Sequence, residues 1–115
     1  MTAQDSGFTP SISLLDQAQG HLAFLEEVNR NATSLEKPHV IANAVRRYEN
    51  FWLPILRDAN EHDILLPPLD VHWAWHVHML NPNSYASDMT KVFHCNGIIH
   101  FGILMSNVYI HYICI

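Results

Sequence analysis

Three histidines lie within residues 72–78, and Asp70 precedes them by two residues. Imidazoles and carboxylates are side chains that bind transition metals and transfer protons near neutral pH. If this stretch is helical, His72 and His76 are one turn apart on the same face, so that both imidazoles can reach a single ion. This pair is therefore the candidate for a zinc or iron site.

Such a site needs at least one further ligand, and the candidates in the sequence are His62, Asp63 and residues of the C-terminal tail. His76 and His78 cannot form the pair, because residues two apart on a helix are separated by about 200° and point to opposite sides. The metal-binding interpretation is therefore kept as an alternative.

A structural role for His76 and His78 is the simpler interpretation. Buried imidazoles are usually hydrogen-bonded to the backbone or to an acid, and Asp70 of a neighbouring segment is such an acid. A catalytic arrangement, with His76 as general base and Asp70 or a tyrosine as its partner, is a further alternative. No catalytic residue is assigned, and a role without enzymatic activity is favoured.

The residues around the histidines predict a helix over 68–80. Pro68 suits the first turn of a helix, because its missing N–H would have no partner there. No Lys, Glu or Arg lies within residues 71–80, and both sides of the helix are apolar or aromatic. Such a helix is usually buried in the middle of a domain. Trp73 and Trp75 are accordingly predicted to anchor the core rather than to form a ligand cage.

A following helix is predicted to begin at Pro82. Proline disfavours the helical conformation of Asn81 before it, so the central helix must end there, and proline itself fits a first helical position. Tyr85 and Met89 are four residues apart and are predicted to face the interior.

Two further helices are predicted before the histidines. The first covers residues 13–30, with an apolar stripe at helical spacing formed by Leu15, Ala18, Leu22, Leu25 and Val28. The second begins at Pro38, with an inward stripe formed by Ile41, Val45, Tyr48, Trp52 and Ile55. Pro54 lies inside this pattern and removes a hydrogen bond to Asn50, which predicts a kink or a restart of the helix.

Length and composition predict one small domain. The 115 residues are 49% hydrophobic and 15% charged, as in globular rather than disordered proteins. Six Lys and Arg against eleven Asp and Glu give a formal net charge of −5. This argues against direct nucleic-acid binding, which needs a basic patch. The N-terminus lacks the apolar run of a signal peptide, and Cys95 and Cys114 form no disulfide framework, which favours a cytoplasmic location.

The C-terminal tail, residues 92–115, contains no Asp, Glu, Lys or Arg and shows no amphipathic period. Three interpretations stay open: coding sequence unrelated to the domain, a membrane or interfacial segment over residues 98–115, or a packed element of the core. The first is favoured, because polar residues interrupt the apolar run and no basic residue anchors its end. Membrane contact is expected only through this segment.

A Trp-His-x-His-x-Leu-x-Pro-x-x-Tyr motif, preceded by an Arg-Tyr-x-x-Phe-Trp segment, resembles the N-terminal helical domain of the glycine-rich domain-containing protein family. The matching residues are Arg47, Tyr48, Phe51, Trp52, Leu53, Pro54, Pro68, Leu69, Asp70, Trp73, Trp75, His76, His78, Leu80, Pro82, Tyr85 and Asp88. The resemblance covers roughly residues 12–91 and implies a mostly helical domain without an established activity.

Plant members of that family are linked to stress and hormone responses, and they carry an RNA-recognition-like region and a glycine-rich tail. This chain has four Gly and neither segment. An RNA-related role of the relatives is therefore not carried over to it.

These features predict an all-α domain of about four helices around a buried central helix. Residues 1–11 are expected to be a flexible lead, residues 12–91 the domain, and residues 92–115 the tail. The predicted function is that of an intracellular helical module that acts through contacts with as yet unknown protein partners and needs no cofactor. A metal-binding protein or metal-dependent enzyme built on the histidines is the alternative.

Overall fold

The fold is known from a computed structural model, which describes residues 7–10, 13–59 and 65–93. Its helices are α1 (Leu14–Arg30), α2 (Ala32–Leu35), α3 (Pro38–Arg47), a π-helical segment (Tyr48–Trp52), α4 (Leu53–Asp58), α5 (Leu69–Met79) and α6 (Pro82–Phe93). These residues contain no β-strand, so the prediction of an all-α domain is confirmed. Taking α3, the π segment and α4 as one rod, the described residues form four longer helical units and the single turn α2.

The ends of the helices follow the local sequence. The Oγ of Ser13 accepts a hydrogen bond from the backbone N–H of Asp16 and caps α1. Pro68 is the N-cap of α5, and its carbonyl accepts the first helical hydrogen bond from the N–H of His72 at 2.8 Å. Helix α6 begins at Pro82, as predicted. Each of these boundaries lies within about two residues of its predicted position.

The distortion predicted at Pro54 takes the form of the π segment. Pro54 lacks an N–H, and its ring would collide with the preceding turn of an α-helix. The π segment ends two residues before Pro54 and adds one residue to a turn, which relieves this collision without ending the helix.

The inward face of this rod differs from the predicted stripe. Tyr48 and Trp52 are buried as predicted, but Ile41 and Ile55 are 45% and 48% exposed. The residues buried with Tyr48 and Trp52 are Ala44, Leu53 and Leu56. The wider π turn delays the rotation of all later residues by about one position, which moves Leu56 inward in place of Ile55.

The predicted inward stripe of α1 is also wrong. Leu22 is 60% exposed and Leu15 is exposed as well, whereas Phe24 is the buried residue of α1. The periodicity of the leucines marks an amphipathic helix correctly, but it does not reveal which face meets another element. The face that contacts another helix is the one that carries Phe24, which packs against α5.

The core lies where α5 meets the π segment, α4 and α6. Its buried members are Tyr48, Trp52, Leu53, Leu56, Val71, Trp75 and Met89. Met89 is buried and Tyr85 packs against this cluster, in line with the prediction for α6. The expectation that α5 is buried on every side is not confirmed, because Val77 is 43% exposed.

Within the described residues, no helix combines the length and apolarity needed to cross a membrane. Most of the expected flexible lead and all of the tail from residue 94 onward lie outside these residues. So do His62, Asp63, Cys95 and Cys114, and the expectations attached to them stay predictions.

Candidate functional site: two histidine clusters on α5

His78 links three segments of the domain through its two ring nitrogens. Its Nδ1 lies 2.7 Å from the hydroxyl of Tyr48 in the π segment, and its Nε2 lies 2.8 Å from a carboxylate oxygen of Asp88 on α6. Burial raises the pKa of Tyr48 well above its usual range, and the nearby charges of Tyr85, Asp88 and Glu49 add to the effect. The Tyr48 hydroxyl therefore stays protonated. With a neutral imidazole, it donates a hydrogen bond to Nδ1, and Nε2–H donates to the Asp88 carboxylate.

A second side-chain hydrogen bond joins α5 and α6. The indole Nε1–H of Trp75 donates to the hydroxyl of Tyr85 at 3.1 Å. The ring of Tyr85 also meets His78 edge-on, with the centroids 4.9 Å apart. Burial raises the pKa of Tyr85, although the hydrogen bond from Trp75 partly opposes this. The residues of the Trp-His-x-His motif thus meet the Pro-x-x-Tyr residues through side chains at the corner between α5 and α6.

Asp70 does not contact the histidines. It lies on the first turn of α5 and forms an ion pair with Arg47 of α3, with Nη1 and Oδ2 2.5 Å apart. The acid that pairs with a histidine is Asp88, ten residues after His78. Asp70 is therefore not the partner of His76 that the catalytic alternative requires.

His72 and His76 belong to a different cluster, formed with helix α1. His72 is only 7% exposed and stacks on Phe24, with the ring centroids 4.0 Å apart. His76 stacks on Trp73, meets Phe24 edge-on at 5.4 Å, and lies 5.0 Å from the ring of His21. We call these five residues, His21, Phe24, His72, Trp73 and His76, the α1–α5 aromatic cluster.

Burial in this cluster favours neutral imidazoles. The pKa of His72 is lowered to about 4, mainly by burial and in addition by the neighbouring charges of His76 and His21. Burial also lowers the pKa of His76, again with a contribution from His21. Both rings are therefore uncharged at neutral pH.

His72 and His76, the predicted metal pair, pack mainly against aromatic rings that carry no metal-binding group. Phe24 contacts the rings of both His72 and His76. In the part of the chain that the structure describes, no group of three or more His, Cys, Asp or Glu is placed to hold a metal ion. Sequence reasoning missed His21 as the third imidazole, because it lies on α1, about 50 residues from the other two.

On the other side of α5, an apolar groove runs between α5 and α3. Its lining consists of Leu35, Val40, Ile41, Ala44, Val45, Asp70, Trp73, Ala74 and Val77. We call it the α3–α5 groove. Its one acidic member, Asp70, is paired with Arg47. Trp73 belongs to both the groove and the α1–α5 aromatic cluster, so it connects the two.

The described residues define a small all-α domain whose central feature is a histidine bonded on both sides at the corner of two successive helices. The family model for the Glycine-rich domain-containing protein-like family matches residues 3–88, and the chain belongs to this family. It is similar to Glycine-rich domain-containing protein 1 of Arabidopsis thaliana, with 40% identity over 84% of this chain and 12% of that protein.

Glycine-rich domain-containing protein 2 of the same plant is 39% identical over 72% of the chain and 11% of its own length. The chain thus spans about an eighth of the length of these relatives. No solved structure matches it.

Proposed function

We propose that this chain is an intracellular helical module that acts by binding a protein partner in the α3–α5 groove. Membership of the glycine-rich domain-containing protein-like family supports a helical domain within larger proteins. The observation that supports a contact surface is the groove itself. The proposal applies to the domain and not to the whole of its relatives.

The groove exposes apolar side chains from both of its helices. Ile41, Val45 and Val77 are 45%, 40% and 43% exposed, although they lie side by side on two neighbouring helices. A contiguous exposed apolar patch typically marks an interaction site. Because Asp70 is neutralised by Arg47, an apolar side chain can enter without stranding a charge.

The shape of the groove favours an amphipathic helix as its occupant. Ile41 and Val45 are one turn apart on α3, and Trp73 and Val77 are one turn apart on α5. These two rows leave a channel into which the ridge of a third helix can pack. The enclosed space of about 110 Å³ is below the 300–1,000 Å³ typical of small-molecule sites, and it suits one or two apolar side chains.

Site-specific photo-cross-linking tests this proposal, and the chain offers a matched control. A photoreactive residue at Ile41 samples the groove, whereas one at Ile55 samples another face of the same rod at nearly equal exposure. Cross-linking in cells should capture a partner from position 41 and not from position 55. The cross-linked segment of that partner is then synthesised as a peptide, and its binding to the purified chain is measured.

The peptide should become helical on binding, and Ile41→Glu should weaken its affinity at least about tenfold, because a carboxylate would be buried without a partner. Ile55→Glu should leave the affinity within about twofold. Equal capture from both positions, or equal loss of affinity in both variants, would show that the groove is not the binding surface.

The metal-binding alternative has less support than the groove. Both His72 and His76 are in ring contact with Phe24, and both ring nitrogens of His78 are already engaged by Tyr48 and Asp88. We therefore propose that the domain functions without a resident metal. Elemental analysis of the purified chain is the direct test, since zinc or iron at one equivalent would favour the alternative.

A further inference from the structure

Helix α1 is held to α5 through a small and unusual contact. Of its 17 residues, Phe24 is the buried one, while Leu14, Leu15 and Leu22 are exposed. Phe24 packs against His72, Trp73 and His76, and His21 lies beside His76. The contact between α1 and α5 therefore consists largely of ring against ring, and three of the five rings are imidazoles.

Among the described residues, no acid is paired with any of the three imidazoles. None of them forms an ion pair within the described residues, and their electrostatic neighbours are one another. The nearby acids have other partners: Glu27 on α1 bonds Arg30 and Asn31, and Asp70 on α5 bonds Arg47. By contrast, His78 on the opposite side of α5 faces Asp88. Protonation is thus opposed in the α1–α5 aromatic cluster by burial and by mutual repulsion.

We propose that the α1–α5 aromatic cluster is an acid-sensitive contact that releases helix α1 from the rest of the domain when its histidines become protonated. The buried cluster around Trp75 is built from α4, α5, α6 and the π segment and contains no residue of α1. Of the five rings, His72 on α5 contacts this cluster, with its centroid 6.2 Å from that of Trp75. Release of α1 would also uncover the part of Trp73 that Phe24 contacts.

The direction of the effect follows from proton linkage. When α1 is docked, His72 takes up a proton only near pH 4, whereas an exposed imidazole does so near its ordinary pKa of 6.5. Between these two values the released form binds more protons than the docked form. Docking is therefore strongest above about pH 6.5 and weakens as the pH falls toward about 4.

Amide hydrogen exchange followed by mass spectrometry tests the proposal on the whole 115-residue chain at low concentration. Exchange is measured from about pH 7 down to about pH 4 and corrected for the intrinsic pH dependence of amide exchange. Peptides from α1 are compared with peptides from α6 in the same sample, so that α6 reports the integrity of the core. On acidification, α1 should lose at least about tenfold in protection while α6 keeps its own.

Two variants connect the loss of protection to the cluster. His72→Phe keeps a ring against Phe24 and removes a titrating group. His76→Gln removes another titrating group and leaves the Phe24–His72 pair in place, although it loses the edge contact with Phe24. In each variant the midpoint of α1 release should move to lower pH. His39→Gln serves as the control, because His39 is exposed on α3 and makes none of the ring contacts of the cluster.

Three outcomes would overturn the proposal. The first is full protection of α1 throughout the pH range. The second is simultaneous loss of α1 and α6, which would mean global unfolding rather than release of one helix. The third concerns a cluster variant that keeps native protection of α6 at neutral pH and is therefore folded. In such a variant, an unchanged pH midpoint of α1 release would contradict the proposal. If His72→Phe fails to fold, His76→Gln still decides between these outcomes.

Discussion

The hydroxyl of Tyr48 lies 2.7 Å from Nδ1 of His78, thirty residues further along the chain. This hydrogen bond joins the π segment to α5, and the opposite nitrogen of the same imidazole extends the connection to Asp88 on α6. One histidine side chain thus fixes the relative positions of three helical segments. Because both of its nitrogens are engaged, His78 cannot accept a proton from a substrate without breaking one of these bonds.

Replacing Tyr48 with Phe should destabilise the domain by about 1–3 kcal/mol, because Nδ1 of His78 would lose its donor in a part-buried position. The free energy of unfolding from urea denaturation, monitored by far-UV circular dichroism, gives the value. Asp88→Asn is the companion variant: the amide oxygen still accepts from Nε2–H, and Asp88 is more exposed, so a smaller loss is expected. A loss in Tyr48→Phe below about 0.5 kcal/mol would mean that the bond contributes little.

The two tryptophans of the motif should differ in their contribution to stability. Trp75 is 0% exposed at the centre of the core, whereas Trp73 is half-buried and lines the groove. Trp75→Ala should cost about 3–5 kcal/mol, a large share of the stability of a domain of this size. Trp73→Ala should cost clearly less. Thermal melts of both variants measure the difference, and an equal fall in melting temperature would contradict the burial described here.

The ion pair between Arg47 and Asp70 should contribute a modest coupling energy. Its side chains are 36% and 19% exposed, so solvent screens the attraction only in part. A double-mutant cycle with Arg47→Met and Asp70→Asn should give a coupling of about 1 kcal/mol at low salt, and less at high salt. The pair Arg57 and Asp58 on the exposed end of α4 is the control, and its cycle should give a smaller value. Equal coupling energies in the two cycles would argue that the Arg47–Asp70 ion pair does not link α3 to α5.

Chelation should leave the melting temperature unchanged, because a metal bound only to the folded state would raise it by mass action. The physical reason for this expectation is that both His72 and His76 pack against the ring of Phe24, and that no group of three or more metal-binding side chains among the described residues is placed to hold an ion. The melting temperature is measured with and without a strong chelator on protein purified without added metal. A clear decrease with chelator that disappears in His72→Ala or His76→Ala would show that these imidazoles do hold an ion.

Local sequence predicted much of the helical framework. The cap at Ser13, the start of α5 after Pro68, its end before Pro82 and the distortion at Pro54 were all predicted from residues within about one turn of each boundary. These features depend on backbone geometry and on hydrogen bonds between near neighbours. Such interactions are the same whatever the rest of the chain does, which is why the sequence reveals them.

The sequence also contained the residues of the candidate site, but not their partners. It placed His76 and His78 on opposite sides of one helix. In the structure, His76 lies in the α1–α5 aromatic cluster and His78 lies with Tyr48 and Asp88. It offered the backbone or an acid such as Asp70 as their partner, whereas His78 bonds Asp88 and Asp70 bonds Arg47. The choice between two acids depends on where α3 and α6 pack against α5, and no local pattern encodes that placement.

By itself, then, the sequence determined that this protein is an all-α domain of the glycine-rich domain-containing protein-like family, with its helix ends in place. Only the tertiary structure decided which face of each helix is buried. Helical periodicity marks apolar residues, but Leu22 stays exposed and Phe24 is buried because α1 contacts α5 on one narrow side. Burial depends on contacts between segments far apart in the chain, and these arise only when the segments pack together.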